Sequence, residues 1–225
     1  MADVLALIPA FEEGSRVAGV VLGATAHLPV LVVDDGSTDD TAARAESAGA
    51  TVLVQRPNQG KGAALRAGFG WGLSRHVDAV ITLDADGQHD PAEIPTFLDA
   101  FERTRADLII GRRDFAQMPR ARRLANRLGG LAMSWAAGRD IPDNQSGYRL
   151  LSRRLMEAVA TSREAGFEYE IEMITTCIRA GLRLEWVPIR TIYAGEPSHI
   201  RPLRHLASFL RMVRATRRAV RTSLP

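Results

Sequence analysis

The 225-residue chain lacks several features that would by themselves define its class. It contains one cysteine, Cys177, which excludes an internal disulfide and a cysteine-based zinc site and leads us to expect a reducing compartment. No stretch offers 18 uninterrupted apolar residues, so we expect no membrane-spanning helix. The first 13 residues contain no basic residue and carry an acid at Asp3, which does not fit a signal peptide. With 46% hydrophobic and 24% charged residues, the composition is that of a globular protein.

Lysine is almost absent: the chain has 28 arginines but a single lysine, Lys61. The net charge of +3 also conceals a gradient along the chain. Residues 1–100 hold 6 basic and 14 acidic side chains, whereas residues 201–225 hold 7 basic and no acidic ones. We therefore expect the acidic half and the basic end to meet different partners, the second of them anionic.

The first half of the chain alternates short apolar runs with helical patterns. The predicted strands are Val4–Ile8, Val30–Val33, Thr51–Val54, Ala79–Leu83 and Leu108–Ile110, and the predicted helices cover about 14–26, 40–48, 62–75 and 91–105. This order predicts a single α/β domain with a mostly parallel central sheet flanked by helices on both faces. Ligands of such sheets bind beyond the carboxyl ends of the strands.

Polar residues follow three of these predicted strands, in the segments Pro9–Glu12, Asp34–Ser37 and Asp84–Asp90. Within the last segment, Asp84 and Asp86 are two residues apart, so their carboxylates can face one cation. Oxygen ligands of this kind suit Mg²⁺ or Mn²⁺, and Gln88 or His89 could add a contact. The alternative is an aspartate-rich turn that only caps the strand.

Several segments occur in the order found in glycosyltransferase family 2, and they cover roughly residues 3–200. They are IPAFEE, VVDDGSTDDT, NQGKGAALRAGF, LDADGQHDP, IIGRR, RRLANRL, IPDNQSGYRLL, FEYEIEM and VPIRTIYAGEPSHI. The chain resembles in particular the dolichol-phosphate mannosyltransferase-like branch, whose members are polyprenyl-phosphate sugar transferases. The resemblance implies a GT-A fold, Rossmann-like in its sheet, that binds a nucleotide-diphospho-sugar with Mg²⁺ or Mn²⁺.

The resemblance also implies roles for residues at the donor site. The residues expected to bind the nucleotide-sugar are Pro9, Phe11, Glu12, Asp35, Lys61, Asp84, Ala85 and Asp86, and those expected to bind the metal are Asp84, Asp86 and Gln88. Asp35 would contact the base, and Phe11 replaces a tyrosine often found there. Lys61 lies between two glycines ahead of a helix, a setting that suits an anion, although a solvated loop lysine is the alternative.

On the acceptor side, the resemblance implies that Arg113 and Arg123 hold a phosphate. The catalytic residues would be Asp84, Asp86, Asp143 and Arg113. The reaction implied is inverting transfer of mannose or glucose to a polyprenyl or dolichyl phosphate. A phosphate acceptor needs no general base, so Asp143 could be structural. If the acceptor is instead a hydroxyl of a glycan or small molecule, Asp143 is the candidate base.

The last segment, Pro202–Arg221, has leucines and Val213 on one helical face and arginines on another. We expect a GT-A domain over residues 1–200 and a basic amphipathic helix within residues 201–225 that binds a membrane surface. The protein would then be cytoplasmic and peripheral at the inner face of the membrane. The alternative is a helix that packs on the domain.

Two further classes can be weighed against the sequence. A nucleic-acid binding module is disfavoured because no aromatic residues interleave with the arginines and no such motif is present, so we expect no nucleic acid partner. A nucleotidyltransferase would need a glycine- and arginine-rich loop after the first strand, where this chain has Pro9–Glu13.

Overall fold

The computed structural model describes residues 2–114, 120–161, 168–190, 192 and 202–221. Within those residues the chain forms seven strands and eight α-helices. The strands are β1 (Val4–Ala10), β2 (Val30–Asp34), β3 (Thr51–Val54), β4 (Ala79–Thr82), β5 (Leu108–Arg113), β6 (Arg149–Ser152) and β7 (Leu184–Ile189). The helices are α1 (Val17–Thr25), α2 (Thr41–Ser47), α3 (Lys61–Ser74), α4 (Ile94–Thr104), α5 (Arg120–Ala137), α6 (Arg153–Val159), α7 (Glu168–Arg179) and α8 (Pro202–Arg221).

The strands form one sheet in the order β3-β2-β1-β4-β6-β5-β7. Strand β6 is antiparallel to both of its neighbours, and the other paired strands are parallel. The carboxyl ends of β1, β2, β4 and β5 therefore meet at one edge of the sheet, which we call the C-edge. Because β6 runs the other way, the loop that precedes it also arrives at the C-edge.

Helices cover both faces of the sheet, as the apolar strands predict. In β1, Leu5 and Leu7 face a core shared with α3, α5, α6, α7 and α8. Their neighbours Val4, Ala6 and Ile8 face a second core shared with α1, α2 and α4. A strand buried on both faces has no solvated side, which explains why β1 and β2 are continuous apolar runs.

The α/β class, the mostly parallel sheet and the first five strands are confirmed, and several boundaries differ from those expected, among them the end of β5 and the start of α1. Strand β5 continues past Ile110 to Arg113, because β7 pairs with it in parallel as far as Ile189. Helix α1 begins at Val17 and not near residue 14, since the backbone N–H groups of Glu13 and Gly14 donate to Thr41 and Asp39.

Helix α8 spans the residues predicted for it and packs against α5 and α7. Its Met212 and Val213 are buried in the core shared with those helices. The side chains of Leu203 and Leu206, which were assigned to the same apolar face, lie outside the described residues. In the part of the chain that the structure covers, no helix combines the length and apolar character needed to cross a bilayer.

The core on the α4 side provides a test of the fold. Phe97 is fully buried, and its ring stacks on that of Tyr148 with centroids 4.4 Å apart. We predict that Phe97→Ala lowers the free energy of unfolding by about 3–5 kcal/mol, because it removes buried apolar surface and leaves a cavity. Urea denaturation measures the change. Leu22→Ala, at an exposed position of α1, is the control and should change stability by less than about 0.5 kcal/mol. Equal values for the two variants would contradict the assignment of Phe97 to the core.

Candidate active site

A cavity of about 510 Å³ opens at the C-edge, between the ends of β1, β2 and β4. Its volume is in the range of small-molecule sites. The residues that line it are Pro9, Ala10, Phe11, Glu13, Asp35, Asn58, Gly60, Lys61, Ala64, Asp84, Ala85 and Asp86. Of the expected nucleotide-sugar residues, all but Glu12 are in its wall. Phe11 is about half exposed there, so its ring is accessible for stacking.

The carboxylate of Glu12 turns to the neighbouring loop. It accepts hydrogen bonds from the backbone N–H of Thr38, at 2.8 Å, and from the Thr38 hydroxyl, at 2.9 Å. Glu12 thus ties the end of β1 to the turn after β2, and a nucleotide contact for it stays a prediction. Glu13, which the sequence did not single out, lines the cavity in its place.

Asp35 holds the loop that leads into α3. Its buried carboxylate accepts from the backbone N–H groups of Gln59, at 2.9 Å, and Gly60, at 2.7 Å. The adjacent Gly36 has a φ of 84°, and a Cβ there would lie 2.9 Å from the backbone nitrogen of Asn58. Only glycine lets these two loops approach so closely. The base contact expected of Asp35 remains a prediction.

Asp84 shares an ammonium group with a second carboxylate. The Nζ of Lys61 lies 2.6 Å from Asp84 Oδ1 and 2.8 Å from Oε1 of the buried Glu170. Burial on its own would lower the pKa of Lys61, but the charges of Asp84 and Glu170 outweigh it and raise that pKa. Burial would likewise raise the pKa of Asp84, and the nearby cations, Lys61 first, outweigh it and lower that pKa. Lys61 and Asp84 are therefore both charged at neutral pH.

Asp86 lies beside this pair with its own partners. Gln88 donates to it from the backbone nitrogen, at 2.9 Å, and from the side-chain amide, at 2.8 Å. Burial and the charge of Asp84 raise the pKa of Asp86. The backbone N–H of Asp84 donates to Nδ1 of His89 at 3.0 Å, and burial lowers the pKa of His89, so that ring is neutral.

The donor set fits a hard divalent cation. Asp84 and Asp86 offer carboxylate oxygens on one loop, and the charge of Asp84 helps to raise the pKa of Asp86. Among the residues described here, no group of three or more histidine, cysteine, aspartate or glutamate side chains is arranged around a metal position. Mg²⁺ commonly binds through one or two carboxylates and completes its shell with water and phosphate oxygens. The two aspartates match that pattern.

On the other side of the C-edge, Arg113 and Asp143 form a bidentate ion pair. Arg113 donates from Nε to Asp143 Oδ2 at 2.7 Å and from Nη2 to Oδ1 at 2.8 Å. The backbone N–H of Gln145 also donates to Asp143, at 3.1 Å, and the carboxylate is almost fully buried. The charge of Arg113 reaches Asp84 and helps to lower its pKa. Arg123 is half-buried on α5, and no described hydrogen bond or ion pair joins it to these groups.

Sequence reasoning missed a buried arginine, Arg149. Its guanidinium donates to the backbone carbonyls of Ser146, Asn144 and Glu170, so it fastens the loop before β6 to helix α7. Arg149 ends the segment DNQSGYR, but the sequence of that segment does not indicate which groups accept hydrogen bonds from its guanidinium. The late segment at residues 193–200 lies outside the described residues, so the structure adds nothing on it.

The sheet order, the cavity at the C-edge and the paired aspartates define a GT-A protein, a class of nucleotide-sugar-dependent transferases. The sequence model of Glycosyl transferase family 2 matches residues 6–160, and the chain belongs to that family. The protein is a glycosyltransferase, as its sequence predicts.

Two curated relatives indicate the branch of the family that the chain resembles. The chain is 33% identical to an undecaprenyl-phosphate mannosyltransferase of Micrococcus luteus over 201 residues, which cover 83% of this chain and 82% of that protein. It is 32% identical to a polyprenol monophosphomannose synthase of Mycolicibacterium smegmatis, over 82% of this chain and 76% of that one. These similarities confirm the resemblance to the polyprenyl-phosphate sugar transferase branch.

Solved structures agree on the fold. Glucosyl-3-phosphoglycerate synthase of Mycobacterium tuberculosis, solved with phosphoglyceric acid, superposes with a TM-score of 0.72 at 24% identity and covers 96% of this chain and 78% of its own. A second structure of that enzyme, with Mn²⁺, uridine diphosphate and glucosyl-3-phosphoglycerate, gives a TM-score of 0.70 with the same coverage. At this identity the likeness shows a common fold.

The ion pair at Arg113 gives a test of the site geometry. We predict that Asp143→Asn lowers the free energy of unfolding by about 3 kcal/mol, because an amide cannot accept both guanidinium hydrogen bonds and leaves the arginine only partly neutralised. Chemical denaturation measures this loss. Asp140→Asn removes the same charge from an exposed neighbour and should have little effect. A neutral result for Asp143→Asn would contradict the pairing.

Proposed function

We propose that the protein transfers a sugar, mannose or glucose, from a nucleotide-diphospho-sugar to a polyprenyl phosphate. The observation that carries this proposal is the pairing of Arg113 with Asp143 beside the acidic donor cavity. Asp143 orients the guanidinium of Arg113, which would contact an anionic acceptor, and the guanidinium in turn occupies the nearby carboxylate. The similarity to undecaprenyl-phosphate and polyprenol-phosphate mannosyltransferases supports the same acceptor class.

At the donor side, Phe11 and Asp35 would contact the nucleotide. Asp84 and Asp86 would hold Mg²⁺ or Mn²⁺, with Gln88 as a further ligand. The bound cation would neutralise the diphosphate and stabilise it as a leaving group. Lys61 and Ala85 are also in the cavity wall, where they would contact the donor. The solved structures of the mycobacterial synthase with Mn²⁺ or Mg²⁺ and uridine diphosphate support a metal-dependent donor site.

At the acceptor side, a phosphate monoester is an anion at neutral pH, so its oxygen attacks the anomeric carbon without a general base. Asp143 then orients Arg113 instead of accepting a proton, which agrees with the engagement of both its oxygens. Direct displacement of the nucleoside diphosphate inverts the anomeric centre and gives a β-linked lipid-phosphate sugar. Arg123 would bind the acceptor phosphate only if acceptor binding brings the Arg123 side chain toward Arg113.

A hydroxyl acceptor is the second candidate. It is favoured by the likeness to a synthase that was solved with phosphoglyceric acid and with its glucosylated product. On that route Asp143 would have to leave Arg113 to take the hydroxyl proton. Transfer assays with polyprenyl phosphate and with the corresponding polyprenol separate the routes, because only the second acceptor has a hydroxyl as its nucleophile.

An exposed apolar stripe on α5 supports attachment to a membrane surface. Leu124, Leu128, Leu131 and Trp135 repeat every three or four residues and are each more than half exposed. Arg217 of α8 stacks on Trp135, with its guanidinium 4.8 Å from the ring centroid. A cationic border around an apolar stripe suits an anionic lipid surface. We therefore assign the membrane contact mainly to α5, because Val213 of α8 is buried, and we infer a peripheral protein at the inner face of a membrane.

The donor site is tested by thermal unfolding with GDP, UDP and their sugars, each with and without Mn²⁺. A ligand at about 100 times its dissociation constant stabilises the fold by about 2.7 kcal/mol, so the shift in Tm is measurable. We predict a metal-dependent shift that Asp84→Asn abolishes, together with transfer of labelled sugar to polyprenyl phosphate. Asp99→Asn, which removes an exposed carboxylate on α4, is the matched control. A shift that persists without metal in Asp84→Asn would refute the metal site.

The membrane contact is tested by flotation with vesicles that contain phosphatidylglycerol. We predict that the double variant Leu128→Glu and Leu131→Glu reduces the bound fraction several-fold, because two charges replace the apolar stripe. Leu22→Glu is the control, since Leu22 is equally exposed on α1 across the sheet. Unchanged flotation of the double variant would contradict the assignment to α5. If the wild type dimerises and the double variant does not, the stripe is a protein interface instead.

A further inference from the structure

Lys61 occupies an unusual position for the one lysine of the chain. It is the first residue of α3, follows Gly60, and reaches across the cavity to a carboxylate on the β4 loop and another on α7. Its two contacts, with Asp84 and Glu170, differ by only 0.2 Å. The ammonium is therefore shared between one expected metal ligand and one carboxylate that is not among the expected metal ligands.

The groups packed around Lys61 hold its ammonium between the carboxylates of Asp84 and Glu170. A Cβ at Gly147 would lie 3.0 Å from Lys61 Nζ and 2.8 Å from Asp84 Oδ2, so the backbone there closes one side of the ion pair. Glu170 is buried, and its backbone carbonyl accepts from Arg149, which fixes its position on α7. Of the other ionisable groups near Asp84, Arg113 is bound to Asp143 and His89 is neutral. Arg149 also interacts electrostatically with Asp84 and Glu170, but its guanidinium donates its hydrogen bonds to backbone carbonyls.

This geometry sets two cations in competition for Asp84. A divalent ion held by the Asp84 carboxylate would lie close to the ammonium, which is 2.6 Å from Oδ1 of that carboxylate, and the two positive charges would repel each other. Glu170 offers the displaced ammonium a charged partner without a return to water. Lysine suits such an exchange, because its charge sits on a flexible stem that can move between acceptors.

We propose that Lys61 is an exchangeable counter-ion of the metal site. It neutralises Asp84 while no divalent cation is bound, and it transfers fully to Glu170 when a cation takes the carboxylate. Glu170 is thus a positioning residue that acts on metal binding through Lys61. The inference rests on the metal site of the proposed function and is independent of which acceptor the enzyme uses.

Since the chain has a single lysine, the exchange can be observed directly. Protein labelled with ¹³Cε and ¹⁵Nζ lysine gives one side-chain signal by NMR, which can be followed during titration with Mg²⁺ alone. We expect the wild-type signal to move toward the position found in Asp84→Asn, where Glu170 is the remaining partner. In Glu170→Gln, Mg²⁺ should move the signal toward that of a solvated lysine.

Affinity for Mn²⁺, measured by electron paramagnetic resonance without nucleotide, gives a second readout. Lys61→Met should bind Mn²⁺ roughly tenfold more tightly, because a competing charge is gone. Glu170→Gln should weaken Mn²⁺ binding in the wild-type background. In the Lys61→Met background the same substitution should weaken it by a much smaller factor, as a double-mutant cycle for coupled residues requires. The double variant removes both charges together and guards against misfolding caused by one unpaired buried charge.

The outcomes separate this inference from the proposed function. If Mn²⁺ binds and Asp84→Asn prevents it, but the lysine signal does not move, the exchange is wrong while the metal site stands. Additive effects of Lys61→Met and Glu170→Gln would also overturn the exchange. If Mn²⁺ fails to bind both alone and with GDP or UDP, the metal site and the exchange are refuted together.

Discussion

The charge of Asp84 is the constraint on which the rest of the site depends. The parallel strands β1, β2 and β4 end at one edge, and their polar residues concentrate negative charge around the cavity. Two cations offset this charge: the ammonium of Lys61 lies 2.6 Å from the Asp84 carboxylate, and the charge of Arg113 also lowers the pKa of Asp84. The proposed metal ion and donor phosphates would therefore enter a cavity whose charge balance depends on Asp84.

One antiparallel strand joins the two sides of the site. Because β6 runs against β4 and β5, its preceding loop delivers Asp143 to Arg113 and lays Gly147 over Asp84. The Thr82 hydroxyl at the end of β4 donates to the Gly147 carbonyl at 2.7 Å, which holds the loop in place. The cavity and the Arg113–Asp143 pair are therefore held by one short segment, and a shift in it would alter both.

The features that local sequence patterns determine could be predicted, whereas contacts between residues far apart in the sequence could not. Apolar runs and the spacing of Asp84 and Asp86 are local, so the first five strands and the acidic edge could be predicted. Glu170 lies far from Lys61 along the chain, and only the contact of α7 with α3 brings them together. Helical periodicity likewise indicates an apolar face on α8 without showing that Met212 and Val213 of that helix are buried against other helices.

The acceptor group that we propose for the sugar is a phosphate. Phosphorus NMR of one reaction mixture, with a mannose or glucose donor, polyprenyl phosphate and Mg²⁺, distinguishes it from a hydroxyl. We expect a phosphodiester signal to replace the monoester signal of the acceptor as the nucleoside diphosphate appears in equal amount. Release of nucleoside diphosphate with the monoester signal unchanged would contradict it, because the sugar would then have gone to water or to a hydroxyl.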